Sequence, residues 1–388
     1  MTLAYAAIPF ALWVYLVLAR GGFWRCSEEL QAETACAAPA QSWPSIVAVV
    51  PARDERELVA STLASLLQQN YPGRLSVVLV DDHSTDGTAE AARHVACAHG
   101  TDSRLDIVSA PPLPAEWTGK LWAMKHGVAR ADHFGGAPDY LWLTDADIGY
   151  ADDALLQLVT RARAGNFVLT SVMAKLRCES RVERALIPAF VFFFRMLYPF
   201  AWVNDPRRSL AAAAGGCMLV RRDALHAAGG IDAIRAELID DCALARRMKA
   251  QGAIWLGSSE RVRSLRAYRS FDDVRRTVAR SAYCQLRYSP WLLALTAASL
   301  SITFIAPPVL AFALTGPAQM VAIATWLLMA FSFRPTLRFF GSSPLWGLAL
   351  PAIALIYLAF TVDSAIQHRR FRGGMWKGRS QAVQSHAR

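Results

Sequence analysis

From Trp291 to Phe333 no side chain carries a charge, and this run is about twice the ~20 residues that one helical crossing of a bilayer needs. Pro307, Pro308 and the pair Gly316-Pro317 interrupt it, so two helices are expected. Leu3 to Ala19 is also uncharged; at ~1.5 Å per residue it falls just short of the ~30 Å hydrocarbon core and reads as a spanning anchor. Met1 and Thr2 are uncharged and Arg20 and Arg25 follow the run, the reverse of a signal peptide, so the helix is expected to be retained. Basic residues favour the cytoplasmic flank, which predicts an external amino terminus and a cytoplasmic chain after Arg20. A composition of 54% hydrophobic and 19% charged residues agrees that part of the chain lies in lipid.

A last apolar segment, Leu345 to Val362, precedes a basic tail with Arg369, Arg370, Arg372, Lys377, Arg379 and Arg388. Three full spans after a cytoplasmic domain would leave that tail outside, yet it and the loop with Arg334 and Arg338 both look cytoplasmic by charge. Leu345 to Val362, interrupted by Pro351, is therefore expected to lie as a re-entrant or in-plane helix. The net charge of +10 resides partly in the tail. Basic residues beside apolar spans meet anionic lipid head groups, and no aromatic-interleaved basic groove points to nucleic acid. The seven cysteines are singly spaced and suit a reducing compartment with free thiols. A transporter would need ionisable residues inside its spans, and these spans carry none.

Between about Ser45 and Arg280 apolar runs alternate with amphipathic helices, the pattern of parallel strands with helical crossovers. Strands are expected at Ser45 to Val50, Leu75 to Val80, Leu105 to Val108 and Tyr140 to Leu143, and a further one over Gly215 to Val220. Helices are expected at Glu57 to Gln69, Thr88 to His99 and Lys120 to Arg130, and from Asp240 to near Gly252. The result is a doubly wound α/β sheet, in which ligands bind outside the carboxyl ends of the strands.

Those strand ends carry acids in series. Asp54-Glu55 follows the first strand, Asp81-Asp82 with Asp86 the second, and Asp145-Ala146-Asp147 the strand at Tyr140. Each alone suits a turn or helix start; crowded at one edge they require a cation or a polar ligand between them. Asp145 and Asp147 supply oxygen ligation with open positions, which fits Mg²⁺ or Mn²⁺ held jointly with a diphosphate. No GxGxxG or GxxxxGK[ST] loop is present. Lys120, opening a helix after Gly119, adds a cation and backbone donors near the phosphates. Asp240 and Asp241 open another helix, where acids also gain up to ~1 kcal/mol from the helix dipole. The preceding Gly215-Gly216 lets a substrate approach the backbone closely.

Taken together, Val50-Pro51-Ala52-Arg53-Asp54-Glu55, Val80 to Thr88, Gly119-Lys120, Asp145-Ala146-Asp147 and Asp240-Asp241-x-x-Leu244 resemble the family 2 glycosyltransferases, in order and spacing, across roughly Ser45 to Tyr288. The flanking apolar helices and Gly373 to Arg379 look like the hopene-associated branch, whose plan is similar to that of ceramide glucosyltransferases. The resemblance implies a GT-A fold over 45–288 and inverting transfer from a nucleotide sugar, usually a UDP-sugar, to a membrane lipid. Around that domain the expected layout is an anchor at 1–20, membrane helices at 291–362 and a cytoplasmic tail at 363–388. By position, Glu55 and Asp82, with Asp81 beside it, would face the nucleoside. Asp145 and Asp147 would hold metal and diphosphate, and Asp241, next to Asp240, would be the general base. Relatives that polymerise sugars carry Gln-x-x-Arg-Trp where this chain has Gln285-Leu286-Arg287-Tyr288, which weighs against a processive polysaccharide synthase. Arg287 is left with two readings, a contact to the diphosphate or to lipid phosphate. The other competitor is a scaffold that has lost catalysis, and the presence of all the expected acids argues against it.

Ala185 to Val203 is nearly apolar but contains Arg195 and two prolines. A full crossing there would put Asp147 and Asp241 on opposite sides of the membrane. It is expected instead as an interfacial segment, with Tyr198 and Trp202 at the head-group level.

Overall fold

The computed structural model describes residues 2–30, 43–134 and 136–370, together with the backbone of two short paired strands, Met375–Trp376 and Arg379–Ser380. The remainder of the Gly373 to Arg379 motif and of the basic tail lies outside the described residues. The chain divides into two compact units, an α/β unit over 28–176, 203–266 and 376–388, and an apolar helical unit over 1–27, 177–202 and 267–375. Sequence reasoning drew one continuous domain over 45–288. The units divide otherwise because 177–202 and 267–288 pack among the apolar helices.

In the α/β unit eight strands form one sheet: β1 Ile46–Ala52, β2 Leu75–Asp81, β3 Leu105–Ser109, β4 Tyr140–Thr144, β5 Ile148–Tyr150, β6 Leu169–Lys175, β7 Cys217–Arg221 and β8 Ile254–Ser264. Their order is β3-β2-β1-β4-β7-β6-β8-β5. The first four are parallel, as the crossover pattern predicts, but β7 runs antiparallel to both β4 and β6, and β5 antiparallel to β8, so the sheet is mixed. The expected Gly215 to Val220 strand begins only at Cys217. All seven residues of β1 are buried, which explains their unbroken apolar run.

Leu63 and Leu66 from the helix Arg56–Leu67 are fully buried in the core with Ala48, Val50, Val77 and Leu79. Each such leucine contributes about 1.5–3 kcal/mol by leaving water. The helix Gly119–Ala131 comes down on the sheet at Gly127, where a Cβ would lie 2.4 Å from Val49 Cγ1 and 2.8 Å from Val80 Cγ2. Only a glycine permits that approach. It sets the height of the helix whose first turn carries Lys120.

Among the described residues the apolar unit contains four helical stretches long and apolar enough to cross a membrane: Thr2–Ala19, Pro290–Ala313, Pro317–Phe339 and Pro344–Arg369. Pro307 and Pro308 do not split the second. A single π-turn, Ser301–Ile305, absorbs the missing amide donors, and the break falls at Leu314 to Gly316. The expected interfacial segment, Ala185 to Val203, overlaps the amphipathic helix Arg181–Leu197, which starts four residues earlier at a capping box in which Ser180 and Glu183 exchange hydrogen bonds. Its phenylalanines pack on neighbours in this unit, Phe192 on Phe23 and Phe333, and Phe193 on Phe304 and Tyr357. Arg20 closes the first helix onto it, its guanidinium donating to the carbonyls of Met196 and Leu197 and lying 5.1 Å from the Trp202 ring centroid.

Candidate active site

Asp145 and Asp147 stand in the turn between β4 and β5, where the sheet's carboxyl edge opens. The turn is clipped from below. Thr144 Oγ1 and the Tyr150 hydroxyl lie 2.6 Å apart, and both donate to the Gly216 carbonyl, at 3.0 and 2.9 Å. The first acid pair is thereby fixed against the glycine pair.

Lys120 ties this turn to the second acid pair. Its Nζ lies 2.8 Å from Asp145 Oδ1 and 3.0 Å from Asp240 Oδ2. Burial works against the ammonium, but the charges of Asp145 and Asp240 outweigh it and hold Lys120 protonated above the usual lysine range. Burial chiefly, with repulsion from Asp147, raises the Asp145 carboxyl despite Lys120. Gly215 passes beside this group; a Cβ there would sit 3.3 Å from Lys120 Nζ and 3.5 Å from Asp241.

Asp241 stands in the first turn of the helix Asp240–Lys249. Its Oδ2 accepts from the Gly215 amide at 3.0 Å and its Oδ1 from the Cys242 amide at 2.7 Å. Burial and then the Asp240 charge push its carboxyl up from 3.8 to about 6, against Lys120 and these two amides. A carboxylate so held is ionised at neutral pH yet basic enough to accept a proton. Asp240 itself is turned to Lys120. The glycine pair thus braces both Asp241 and the Asp145 turn, a task sequence reasoning had not given it.

Asp147 is met by Arg266, which sequence reasoning missed. Arg266 Nε lies 2.6 Å from Asp147 Oδ2 and Nη2 2.5 Å from Glu55 Oε1, so one guanidinium joins the acids after β1 and β4. The pairing of Ile148 with Ser264, and the Leu265 amide donating to the Asp147 carbonyl at 2.8 Å, carry Arg266 to this place. The signal available in sequence was the apolar run Ile254 to Leu256, which marks β8.

The first two acidic loops are knitted to each other. Ala52 lies beside Asp81 in register, Asp54 accepts from the Thr85 amide, and Asp86 accepts from the amides of Arg56 and Thr88. Asp81 faces the Ser84 amide, whereas the Asp82 side chain is fully buried, 3.6 Å from Arg53 Nη1. Much of this acidic series therefore builds the loops. Arg287 belongs to the apolar unit, where it and Tyr288 take left-handed backbone, φ 51° and 55°, and Tyr288 stacks on His368 at 4.3 Å.

Among the described residues no group of three or more His, Cys, Asp and Glu side chains is placed to hold a metal ion. Mg²⁺ and Mn²⁺ do not need one, since one or two carboxylates complete their shell with substrate phosphates and water. Asp145 and Asp147 fit that partial set, and their mutual repulsion favours a cation between them.

A family model described as glycosyltransferase like family 2 matches residues 44–284. The 4,4'-diaponeurosporenoate glycosyltransferase of Staphylococcus aureus (strain bovine RF122 / ET3-1) is 25% identical over 214 residues, 53% of this chain and 52% of that protein. An N-acetylglucosaminyltransferase of Mesorhizobium japonicum is 24% identical over 194 residues, 48% of this chain and 41% of that one. The chain spans about half the length, or less, of these curated relatives. A mannosyltransferase of Pyrobaculum calidifontis, solved with GDP-Man and Mn²⁺, superimposes with a TM-score of 0.52 at 18% identity, over 95% of this chain and 98% of that one. The fold is GT-A, as the resemblance implied. With the family model covering well over half of its length, the chain belongs to the family 2 glycosyltransferases.

Proposed function

We propose that this chain is an inverting glycosyltransferase that passes a sugar from a nucleoside diphosphate donor, a UDP-sugar by family habit, to the hydroxyl of a membrane lipid. The observation that carries this reading is Lys120 placed between Asp145 and Asp240, with Asp241 braced beside it by the Gly215 amide. Asp241 takes the proton of the acceptor hydroxyl as that oxygen bonds to the anomeric carbon. The bond from that carbon to the diphosphate oxygen breaks on the opposite face, so one carboxylate suffices and configuration inverts. Lys120 meets the charge growing on the departing diphosphate. A divalent cation held by Asp145 and Asp147 would neutralise more of that charge. Glu55, after β1, and Asp81, at the end of β2, would form the nucleoside side; Asp82, assigned there by position, is instead buried against Arg53.

A lipid acceptor is supported by the apolar unit and its amphipathic helix Arg181–Leu197; the S. aureus relative is named for glycosylating 4,4'-diaponeurosporenoate. Within that class the hopene-associated likeness makes a hopanoid the first acceptor to try. The test is transfer of labelled sugar from UDP- and GDP-sugars into a lipid extract with Mg²⁺ or Mn²⁺. Equal inactivity of wild type and Asp241→Asn with every donor would favour the inactive-scaffold reading.

The catalytic unit is read as cytoplasmic, with three crossings and a last segment that returns to its own side. Trp13 meets Phe304 midway along the first helix, Trp24 meets Phe331, and Ala6 clusters with Ala311, Ala318 and Ala322 near the far end. Beyond Phe339 the chain folds back, so that Gly347 lies against Ala330 and Trp326 donates to the Leu348 carbonyl. The helix Leu350–Arg369 then runs beside the basic helix Phe271–Gln285, pairing Phe360 with Phe271, Asp363 with Arg275, and Ser364 with Ala279. Every basic cluster then falls on one side. In a cysteine-free background, a thiol placed by Ser385→Cys should react with a membrane-impermeant maleimide only after permeabilisation; labelling in intact cells would refute the re-entrant reading.

A further inference from the structure

Arg266 links the acid following β1 to the acid of the β4 turn. Its side chain is 37% exposed, while Glu55 and Asp147 are 10% and 15% exposed. Asp147 therefore presents its carboxylate already occupied by a charge-assisted hydrogen bond, as Asp145 is occupied by Lys120. A divalent cation arriving alone must compete with a guanidinium for Asp147, and it leaves Arg266 facing a metal of the same sign. A nucleoside diphosphate changes both terms, because its phosphate oxygens ligate the metal and give the displaced guanidinium an anion to hold.

Resting on the donor-site reading above, we propose that Arg266 is a positioning residue that makes divalent metal and nucleoside diphosphate bind cooperatively, keeping the acids closed to metal alone and passing to the diphosphate when both arrive. The coupling is reciprocal, since whatever factor the nucleotide adds to metal affinity the metal adds to nucleotide affinity. A purely structural Arg266 would behave differently: its loss would weaken both ligands together and leave their coupling intact.

The experiment uses the full chain in detergent, with Mn²⁺ binding read from the free-ion electron paramagnetic resonance signal, alone and with saturating UDP or GDP. Wild type should bind Mn²⁺ at least about tenfold tighter with the nucleotide present. Arg266→Gln should bind Mn²⁺ alone several-fold tighter than wild type, while the enhancement by nucleotide shrinks about fivefold or more. Arg266→Lys, which keeps the charge but loses the fork, should fall between. Tryptophan fluorescence melting of each variant identifies the folded fraction used to normalise the titrations. An unchanged enhancement in folded Arg266→Gln, or weaker Mn²⁺ binding with and without nucleotide, would overturn the proposal while leaving the donor site standing. A wild type that binds neither Mn²⁺ nor either nucleotide would overturn the donor-site reading itself.

Discussion

The placement of Asp241 has a cost to folding that can be measured apart from activity. Its carboxyl is pushed from 3.8 to about 6 by burial and by Asp240, so the folded chain holds the proton more tightly than the unfolded chain does. The favourable contribution of that proton is complete below about pH 4 and is lost as pH rises through about 6. Above pH 7 the ionised carboxylate therefore costs the fold up to about 3 kcal/mol. Asp241→Asn removes that cost: its amide, like the protonated carboxyl, offers one carbonyl acceptor to the N–H groups of Gly215 and Cys242, so it stands in for the protonated side chain at every pH. The variant should thus be more stable than wild type by up to about 3 kcal/mol at pH 8 and by only about 1 kcal/mol at pH 4.5. Thermal unfolding of the detergent-solubilised chain, followed through the buried Trp142 and Trp255, should show the variant melting several degrees above wild type at pH 8 and the two curves converging as pH falls. A variant destabilised equally at both pH values would refute the reasoning, because it would mean that Asp241 sits unstrained.

The same carboxyl should give kcat/KM an acid limb near pH 6, and Lys120→Met, which removes a charge that lowers it, should move that limb upward; a limb near pH 4 in both proteins would contradict the site electrostatics. Gly127→Ala, ordinarily favourable in a helix, should here cost about 1–3 kcal/mol, because the added methyl meets Val49 at 2.4 Å, and nucleotide affinity should fall as the Lys120 helix lifts. Glu183 is 1% exposed and accepts from the amides of Glu179, Ser180 and Tyr268, so Glu183→Ala should cost about 2–3 kcal/mol in chemical denaturation, and a neutral result would remove it from the account.

The parallel half of the sheet was legible because β1, β2 and β4 are buried on both faces and written as continuous apolar runs, with acids at or shortly after their ends. The antiparallel half was less so. Ile148–Tyr150 is too short to stand out, and Leu169–Lys175 contains Thr170 and Ser171, whose burial depends on partners that only the fold supplies. Not every acid in the series has the same surroundings: the Asp54 and Asp86 side chains hold loop backbone, and Asp82 is buried with Arg53, partners that strand-end position alone does not reveal. Arg266 was missed for a different reason, since it meets Glu55 across 211 positions of chain and only the apolar start of β8, about ten residues before it, marks its place. In the apolar unit, uncharged length gave the helices correctly, while the chain reversal before Leu350 depends on packing against Ala330.

The central claim, that these acids form the active site of a lipid glycosyltransferase, is tested most directly by one assay. Membranes carrying the chain are supplied with labelled UDP- and GDP-sugars and Mg²⁺ or Mn²⁺, and the organic phase is counted. The account predicts label in a lipid with wild type, loss of at least about a hundredfold with Asp241→Asn, and loss on chelation of the metal. Transfer by Asp241→Asn at the wild-type rate would contradict it.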